Sequence, residues 1–380
     1  MKYSRHSKYS RHLFICKYNQ RVLIDLSRVC IFECHLKREI LKIGNVDLGY
    51  RPLLLAPMED VTDPSFRLLC KKFGADMMYT EFINADGLIR DAKSSVAKLD
   101  IFDYERPIGI QLYGHEIDSM VEATRVATAA KPDVIDINFG CPVKKIANRG
   151  AGSGMMRDVP KMVEMTRQVV NATNIPVTIK TRLGWDDNSK NIIEIAERLQ
   201  DVGITALSIH GRTRAQLYKG EADWTLIGEV KNNPRMTIPI IGNGDIDSPE
   251  KAKLAFDTYG VDGIMIGRAT YGRPWIFKEI KHFLETGEHL KPFSIPEKVE
   301  LAKFHLSKSL EIKGNKTGIF ELRRHLTSYF KGLPHFKEMR LKLVTSMEPD
   351  ELLSLLDQVA EKYADFVPDV SINPSPWSRE

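Results

Sequence analysis

From residue 41 to about residue 290 the chain alternates between short apolar runs and amphipathic segments. That alternation narrows the possible folds more than any other feature. Strand-like runs fall at 53–56, 77–80, 108–112, 134–137, 177–180, 206–209, 238–241 and 263–266. Segments with helical periodicity, such as 65–73, 116–129, 159–170, 192–202, 249–257 and 275–284, lie between most of them or follow the last. Eight strands with helical crossovers over about 240 residues match the count and size of a (β/α)8 barrel, an α/β TIM barrel. A doubly wound open sheet is the competing architecture. It usually opens with a Gly-x-Gly-x-x-Gly turn after its first strand, whereas here the first run leads into Ala56-Pro57-Met58.

Beyond residue 290 the strand signal stops. Pro292 and Pro296 mark a linker. Apolar residues then recur at helical spacing, among them Val299, Leu306, Leu322, Leu326, Leu352, Leu355 and Val359. This predicts a smaller C-terminal all-helical domain of about four helices. The expected organisation is a basic extension over 1–42, a barrel over 43–290, a helical domain over 296–366 and a tail over 367–380.

Charge supports the division. The net +5 conceals two basic regions: residues 1–42 hold ten Lys/Arg against three Asp/Glu, and residues 298–342 hold eleven against four. Clustered positive charge attracts polyanions. The pentamer Lys-Tyr-Ser-Arg-His occurs at Lys2–His6 and again at Lys8–His12, and Cys16, Cys30 and Cys34 lie in the same stretch. Their spacing, with His12 and His35, does not match the close cysteine pairs of structural zinc sites, so no metal is expected. The N-terminus lacks the apolar core of a secretory signal. No apolar run approaches the roughly 18 residues of a membrane helix. Five thinly spread cysteines argue against a disulfide framework. A reducing, cytoplasmic setting is expected, with no membrane and no obligatory protein partner.

In a (β/α)8 barrel the working residues gather where the strands end. Taken in order, these ends carry Pro57-Met58-Glu59, then Glu81 and Asn84, Gln111, Asn138 and Cys141, Lys180 and Arg182, His210 and Arg212, Gly242-Asn243-Gly244-Asp245, and Gly267-Arg268. A barrel serving only as a scaffold would not need eight polar ends. The fourth is the densest, with a thiol, Lys144, Lys145, Arg149 and a glycine cluster within about fifteen residues of the strand. At the last two ends, glycines allow backbone N–H groups to approach an anion and Arg268 adds a forked cation, a pattern suited to phosphate. Lys180, on an otherwise apolar strand, is either a lysine snorkelling at the strand end, an electrostatic partner for an anionic or electron-rich ring, or a Schiff-base amine. Gln111 offers a donor and an acceptor to a heteroaromatic edge. Phosphate, cation and amide around one mouth favour FMN over a sugar phosphate.

Several motifs then match a family. Ala-Pro-Met-Glu-Asp-Val-Thr-Asp-Pro-Ser-Phe-Arg at 56–67, Asp-Ile-Asn-Phe-Gly-Cys-Pro-Val-Lys-Lys at 136–145 and Gly-Ala-Gly-Ser at 150–153 closely resemble the tRNA-dihydrouridine synthases. Lys-Thr-Arg-Leu-Gly-Trp at 180–185, His-Gly-Arg-Thr-Arg at 210–214, Gly-Asn-Gly-Asp-Ile at 242–246, Ile-Gly-Arg-Ala at 266–269 and Arg-Arg-His at 323–325 agree. The resemblance is greatest to the bacterial B-type enzymes and covers about residues 43–365. It implies FMN as cofactor, NADPH as reductant and particular tRNA uridines as substrate. In such enzymes reduced flavin gives hydride to C6 and a cysteine protonates C5.

Carried over by motif, Cys141 is that proton donor. Pro57, Met58, Glu59, Gln111, Lys180, His210, Asn243, Gly244, Asp245, Gly267 and Arg268 are the FMN residues. Asn138, Lys144, Lys145, Arg149, Arg182, Arg323, Arg324 and Lys331 are the expected substrate and tRNA contacts. A thiol near its ordinary pKa of about 8.5 stays mostly protonated at neutral pH and can serve as an acid. The main rival is an FMN-dependent enzyme for a free pyrimidine, of the dihydroorotate dehydrogenase kind. It has no need of a basic helical tail.

Overall fold

The structure, a computed structural model, describes residues 40–367. The repeated pentamer, the N-terminal histidines and cysteines, and the tail from 368 onward lie outside the described residues. Eight parallel strands follow one another around a ring: β1 (Leu53–Leu55), β2 (Met78–Tyr79), β3 (Ile108–Tyr113), β4 (Val134–Asn138), β5 (Val177–Arg182), β6 (Ala206–His210), β7 (Ile240–Asn243) and β8 (Gly263–Ile266). β8 pairs with β1. A bridge between Leu54 and Met77, with Leu55 N–H donating to Met77 O at 2.9 Å, closes the ring between β1 and β2.

Alternation along each strand sorts side chains to two environments. Ile135 and Ile137 of β4, Val177 and Ile179 of β5, and Leu207 and Ile209 of β6 face the surrounding helices. These include α1 (Pro64–Lys72), α2 (Ile117–Ala129), α3 (Val159–Asn171), α4 (Ile192–Asp201), α5 (Thr225–Asn232), α6 (Pro249–Tyr259) and α7 (Ile276–Thr286). The crossover from β2 to β3 has only short helical turns, at Ala85–Leu88 and Lys93–Val96 and two 3-10 turns.

The inward positions change character from bottom to top. Val134, Ala206, Leu54 and Met265 share an apolar floor with Leu41, Ile43 and Leu48. Those last three belong to an antiparallel hairpin of Leu41–Ile43 and Val46–Gly49, whose apolar side chains plug the barrel. The boundary expected at residue 42 therefore cuts through a strand. Leu41 is buried and belongs to the barrel floor rather than to an extension. Above the floor come small polar residues, Asp136, Thr178 and Ser208, and above these Asn138, Lys180 and His210.

The C-terminal region is helical, with α8 (Ile295–Tyr329), α9 (Lys337–Thr345) and α10 (Pro349–Lys362). Ser294 and Glu297 form a reciprocal cap at the start of α8, which satisfies two of its free N–H groups. α8 breaks at Gly314, whose φ of 73° suits glycine, so the region has four helical rods. Residues on both sides of this break sit on the barrel's upper loops. Lys313 reaches Asp63 at 2.7 Å, the tilted rings of Phe66 and His325 have centroids 4.2 Å apart, and Arg324 donates to Glu59 O and Asp60. No helix among the described residues is long and apolar enough to cross a membrane.

Candidate active site

A cavity of about 310 Å³ opens where the strands end. Its wall contains Pro57, Met58, Glu59, Asn138, Cys141, Lys180, Arg182, His210, Asn243, Gly244, Asp245, Gly267 and Arg268. Residues from six of the eight predicted ends thus meet in one place, because parallel strands in register bring their C-terminal residues to one rim. Asn138 lies opposite Lys180, Arg182 opposite His210, and His210 opposite Asn243.

Cys141 is held through its backbone. Asn138 Oδ1 accepts from both Gly140 N and Cys141 N at 2.9 Å. Ser153 donates to Cys141 O from its Oγ at 2.7 Å and its N at 3.1 Å. Arg182 Nε donates to Gly140 O at 2.7 Å. Burial raises the Cys141 thiol above its ordinary value, outweighing the nearby cations, so it is protonated at neutral pH. Gly152 belongs to the same clamp. Its φ is +54° and a Cβ there would lie 3.0 Å from Cys141 Cβ.

The cavity is cationic. Burial, then Arg182, lowers Lys180 to about 8, with Asp136 and Cys141 opposing the shift. Burial also holds His210 well below its usual value, helped by Arg182 and Lys180, so its imidazole is neutral. Its buried Nδ1 has no partner among the described residues. At the β7 and β8 ends two guanidiniums share one carboxylate. Arg212 Nη1 and Nη2 meet Asp245 Oδ1 and Oδ2 at 2.9 and 2.6 Å, and Arg268 Nη2 meets Oδ1 at 3.0 Å. Burial alone would raise the Asp245 carboxyl, but hydrogen bonds from Arg212 and from Ala222 N hold it low. The cluster therefore carries one surplus positive charge on the cavity wall beside Gly244 and Gly267. A Cβ on Gly267 would stand 3.5 Å from both Ala56 Cβ and Met58 Sδ.

Several expected residues stand elsewhere. Gln111 is fully buried and does not line the cavity; its amide bridges Asp136 and Asn138. Asp245 does line the cavity, with its carboxylate held between the two arginines. Arg182, only 3% exposed, is no surface cation: it also donates to Thr213 O and Leu217 O. Arg323 turns inward to Thr345 O, Ser346 O and the Met347 sulfur. Lys144, Lys145, Arg149, Arg324 and Lys331 are exposed.

The sequence left Arg212 without a role and gave no hint of Tyr218, which lines the cavity and lies under the guanidiniums of Arg182 and Arg268. Arg212 could have been found, since its place two residues past His210 was visible. Tyr218 lies in an irregular loop, and no periodicity marks it.

A closed parallel barrel with a polar, cationic mouth and an anion-ready end defines a TIM-barrel enzyme scaffold. The family model described as "Dihydrouridine synthase (Dus)" matches residues 54–365. The tRNA-dihydrouridine synthase B of Pseudomonas putida is 43% identical over 291 residues, covering 76% of this chain and 86% of that protein. A probable tRNA-dihydrouridine synthase 1 of Synechocystis sp. is 41% identical over 319 residues, covering 84% and 88%. Among solved structures, histamine dehydrogenase from Rhizobium sp. 4-9 aligns with a TM-score of 0.50 at 12% identity, over 86% of this chain and 64% of that one, a likeness of fold alone. The chain belongs to the dihydrouridine synthase family.

Proposed function

We propose that this enzyme reduces the 5,6 double bond of specific uridines in tRNA, with FMN as bound cofactor and NADPH as reductant. One observation carries the reading: a single cavity is lined by a thiol on a clamped loop, a lysine, and an arginine beside two glycines. The residues fit FMN. Gly244, Gly267 and Arg268 suit its phosphate, and Lys180 and the neutral imidazole of His210 on the cavity wall suit polar atoms of a ring. When bound, FMN supplies the hydride transfer.

The chain's own residues supply the rest. Cys141 Sγ holds the proton that C5 of the uracil requires, and the raised pKa keeps it there until charge develops on the substrate. Lys180 brings a fixed cation to the place where negative charge accumulates. Pro57 and Met58, with Tyr218, enclose the cavity. Arg182 ties the Cys141 loop to the Thr213–Leu217 turn, so that the thiol and this part of the wall keep one relative position. Lys144, Lys145, Arg149, Arg324 and Lys331, exposed on the barrel loops and the helical region, are suited to the RNA backbone. The family match runs past the barrel to residue 365, which favours tRNA over a free pyrimidine.

The reading is tested with Cys141→Ala. The variant should retain FMN and its reduction by NADPH while losing most tRNA turnover. Normal turnover would remove Cys141 as the acid. Nucleoside mapping of tRNA from cells lacking this gene should show dihydrouridine missing at a defined position, and unchanged tRNA would defeat the proposal.

A further inference from the structure

Beneath the cavity a buried carboxylate is linked to the Cys141 loop by two amides. Asp136, 1% exposed, faces inward from β4; Gln111 lies opposite it on β3 and Thr178 opposite it on β5. Thr178 Oγ1 donates to Asp136 Oδ1, and Gln111 Nε2 donates to Asp136 Oδ2 at 2.6 Å. Gln111 Oε1 accepts from Asn138 Nδ2 at 2.9 Å. Asn138 Oδ1 then accepts from Gly140 N and Cys141 N.

The polarity of this chain is fixed from both ends. Backbone N–H groups can only donate, so Asn138 must turn its oxygen toward Gly140 and Cys141. Its NH2 then faces Gln111, which must present its oxygen in turn. Gln111 is left with its NH2 toward Asp136, and that contact needs an acceptor. An amide is otherwise free to turn over, exchanging donor for acceptor at almost no change in shape. Asp136 removes that freedom at a site with no solvent to compensate.

We propose that Asp136 is a positioning residue: by accepting from Gln111 it fixes the orientation of two successive amides and so holds the Cys141 loop in its working geometry. The proposal rests on Cys141 as the proton donor.

The test compares Asp136→Leu, which removes the acceptor at similar volume, with Asp136→Asn. The asparagine can keep an oxygen toward Gln111 while its NH2 meets Thr178, whose hydroxyl rotates to accept. In the full-length holoenzyme, Asp136→Leu should lower kcat on the order of 10²-fold, the scale of a misplaced reacting group. KM for tRNA should be unchanged, and Cys141 should react faster with iodoacetamide, followed by peptide mass spectrometry. Asp136→Asn should stay near wild type on all three readouts. If Asp136→Leu does not fold, Gln111→Met cuts the next link and should give the same split between kcat and KM.

Wild-type kcat and alkylation in Asp136→Leu or Gln111→Met would overturn the proposal. So would Asp136→Asn falling as far as the leucine variant, since charge rather than the acceptor would then be the cause. Alkylation needs no RNA. A wild-type enzyme inactive on tRNA would therefore defeat the functional reading and leave this comparison to decide the positioning role.

Discussion

Arg212 is 2% exposed, and its guanidinium stays buried because Asp245 meets both of its Nη atoms while Lys219 O and Gly220 O take further N–H groups. Removing one partner of such a pair costs about 3–5 kcal/mol, since the other charge is left without compensation. The partial exposure of Asp245 and the two carbonyl acceptors place Asp245→Asn at the lower end of that range. Urea unfolding should read this loss. Retention of the proposed FMN through gel filtration should fall with it, because Arg268 loses the carboxylate that orients it. Lys180 gives a second prediction at this scale. A lysine lowered to about 8 is a cation below that pH and neutral above it. If its charge assists the reaction, kcat/KM in the wild type should decline as pH rises through about 8. Lys180→Met should be slower and should lack that limb. A limb persisting unchanged in the variant would assign it to another group.

At the scale of elements, the loop after β7 is shaped by one glycine. Gly244 has φ +131°, and a Cβ there would lie 2.7 Å from Ala222 Cβ. Trp224 Nε1 also donates to its carbonyl at 3.0 Å. Gly244→Ala should therefore cost about 1–3 kcal/mol and release FMN, measured by flavin absorbance of the purified protein. Full flavin content with wild-type stability would contradict this account of the loop. The Gly-Asn-Gly-Asp run at 242–245 made this turn legible, as strand periodicity did the barrel. β7 begins at Ile240 rather than at 238 because Ile238 N bonds to the Gln200 side chain instead of a neighbouring strand. α5 is poorly visible in the sequence because Gly228 interrupts it. That glycine answers to a distant residue, Tyr259, whose ring would lie 2.9 Å from a Cβ there. The depth of Gln111 was equally hidden. Its pairing with Asp136 depends on the register of β3 and β4, and one strand's pattern does not contain it.

For the whole molecule, the barrel and its helical region were foreseeable from periodicity, and the way they join was not. The junction is built on buried titratable groups. His305 and His325 pack 4.8 Å apart against Phe66, and His305 Nδ1 meets Tyr329 OH at 3.0 Å. Burial, aided by Lys313, lowers both histidines, His325 to about 4 and His305 well below its usual value, although Asp63 opposes the shift. Burial would raise Asp63, but Lys313 and His305 hold it below the ordinary carboxylate range. The signs agree. An unfolded histidine takes up a proton near pH 6.5 that the folded one refuses, so this stability is complete above about 6.5 and falls as the pH drops toward 4. The Asp63 contribution is present above its unfolded value and is lost only at lower pH, as the folded carboxyl titrates. Each histidine steepens the decline by up to about 1.4 kcal/mol per pH unit. Urea titrations at pH steps from 7 to 5, followed by tryptophan fluorescence, to which Trp275 beside Tyr329 contributes, should show the midpoint falling on acidification. His325→Gln should reduce that slope by one proton while lowering stability at pH 7 through lost packing. A wild-type midpoint independent of pH, or a slope unaltered in the variant, would mean that the junction does not couple protonation to the seating of the helical region on the barrel.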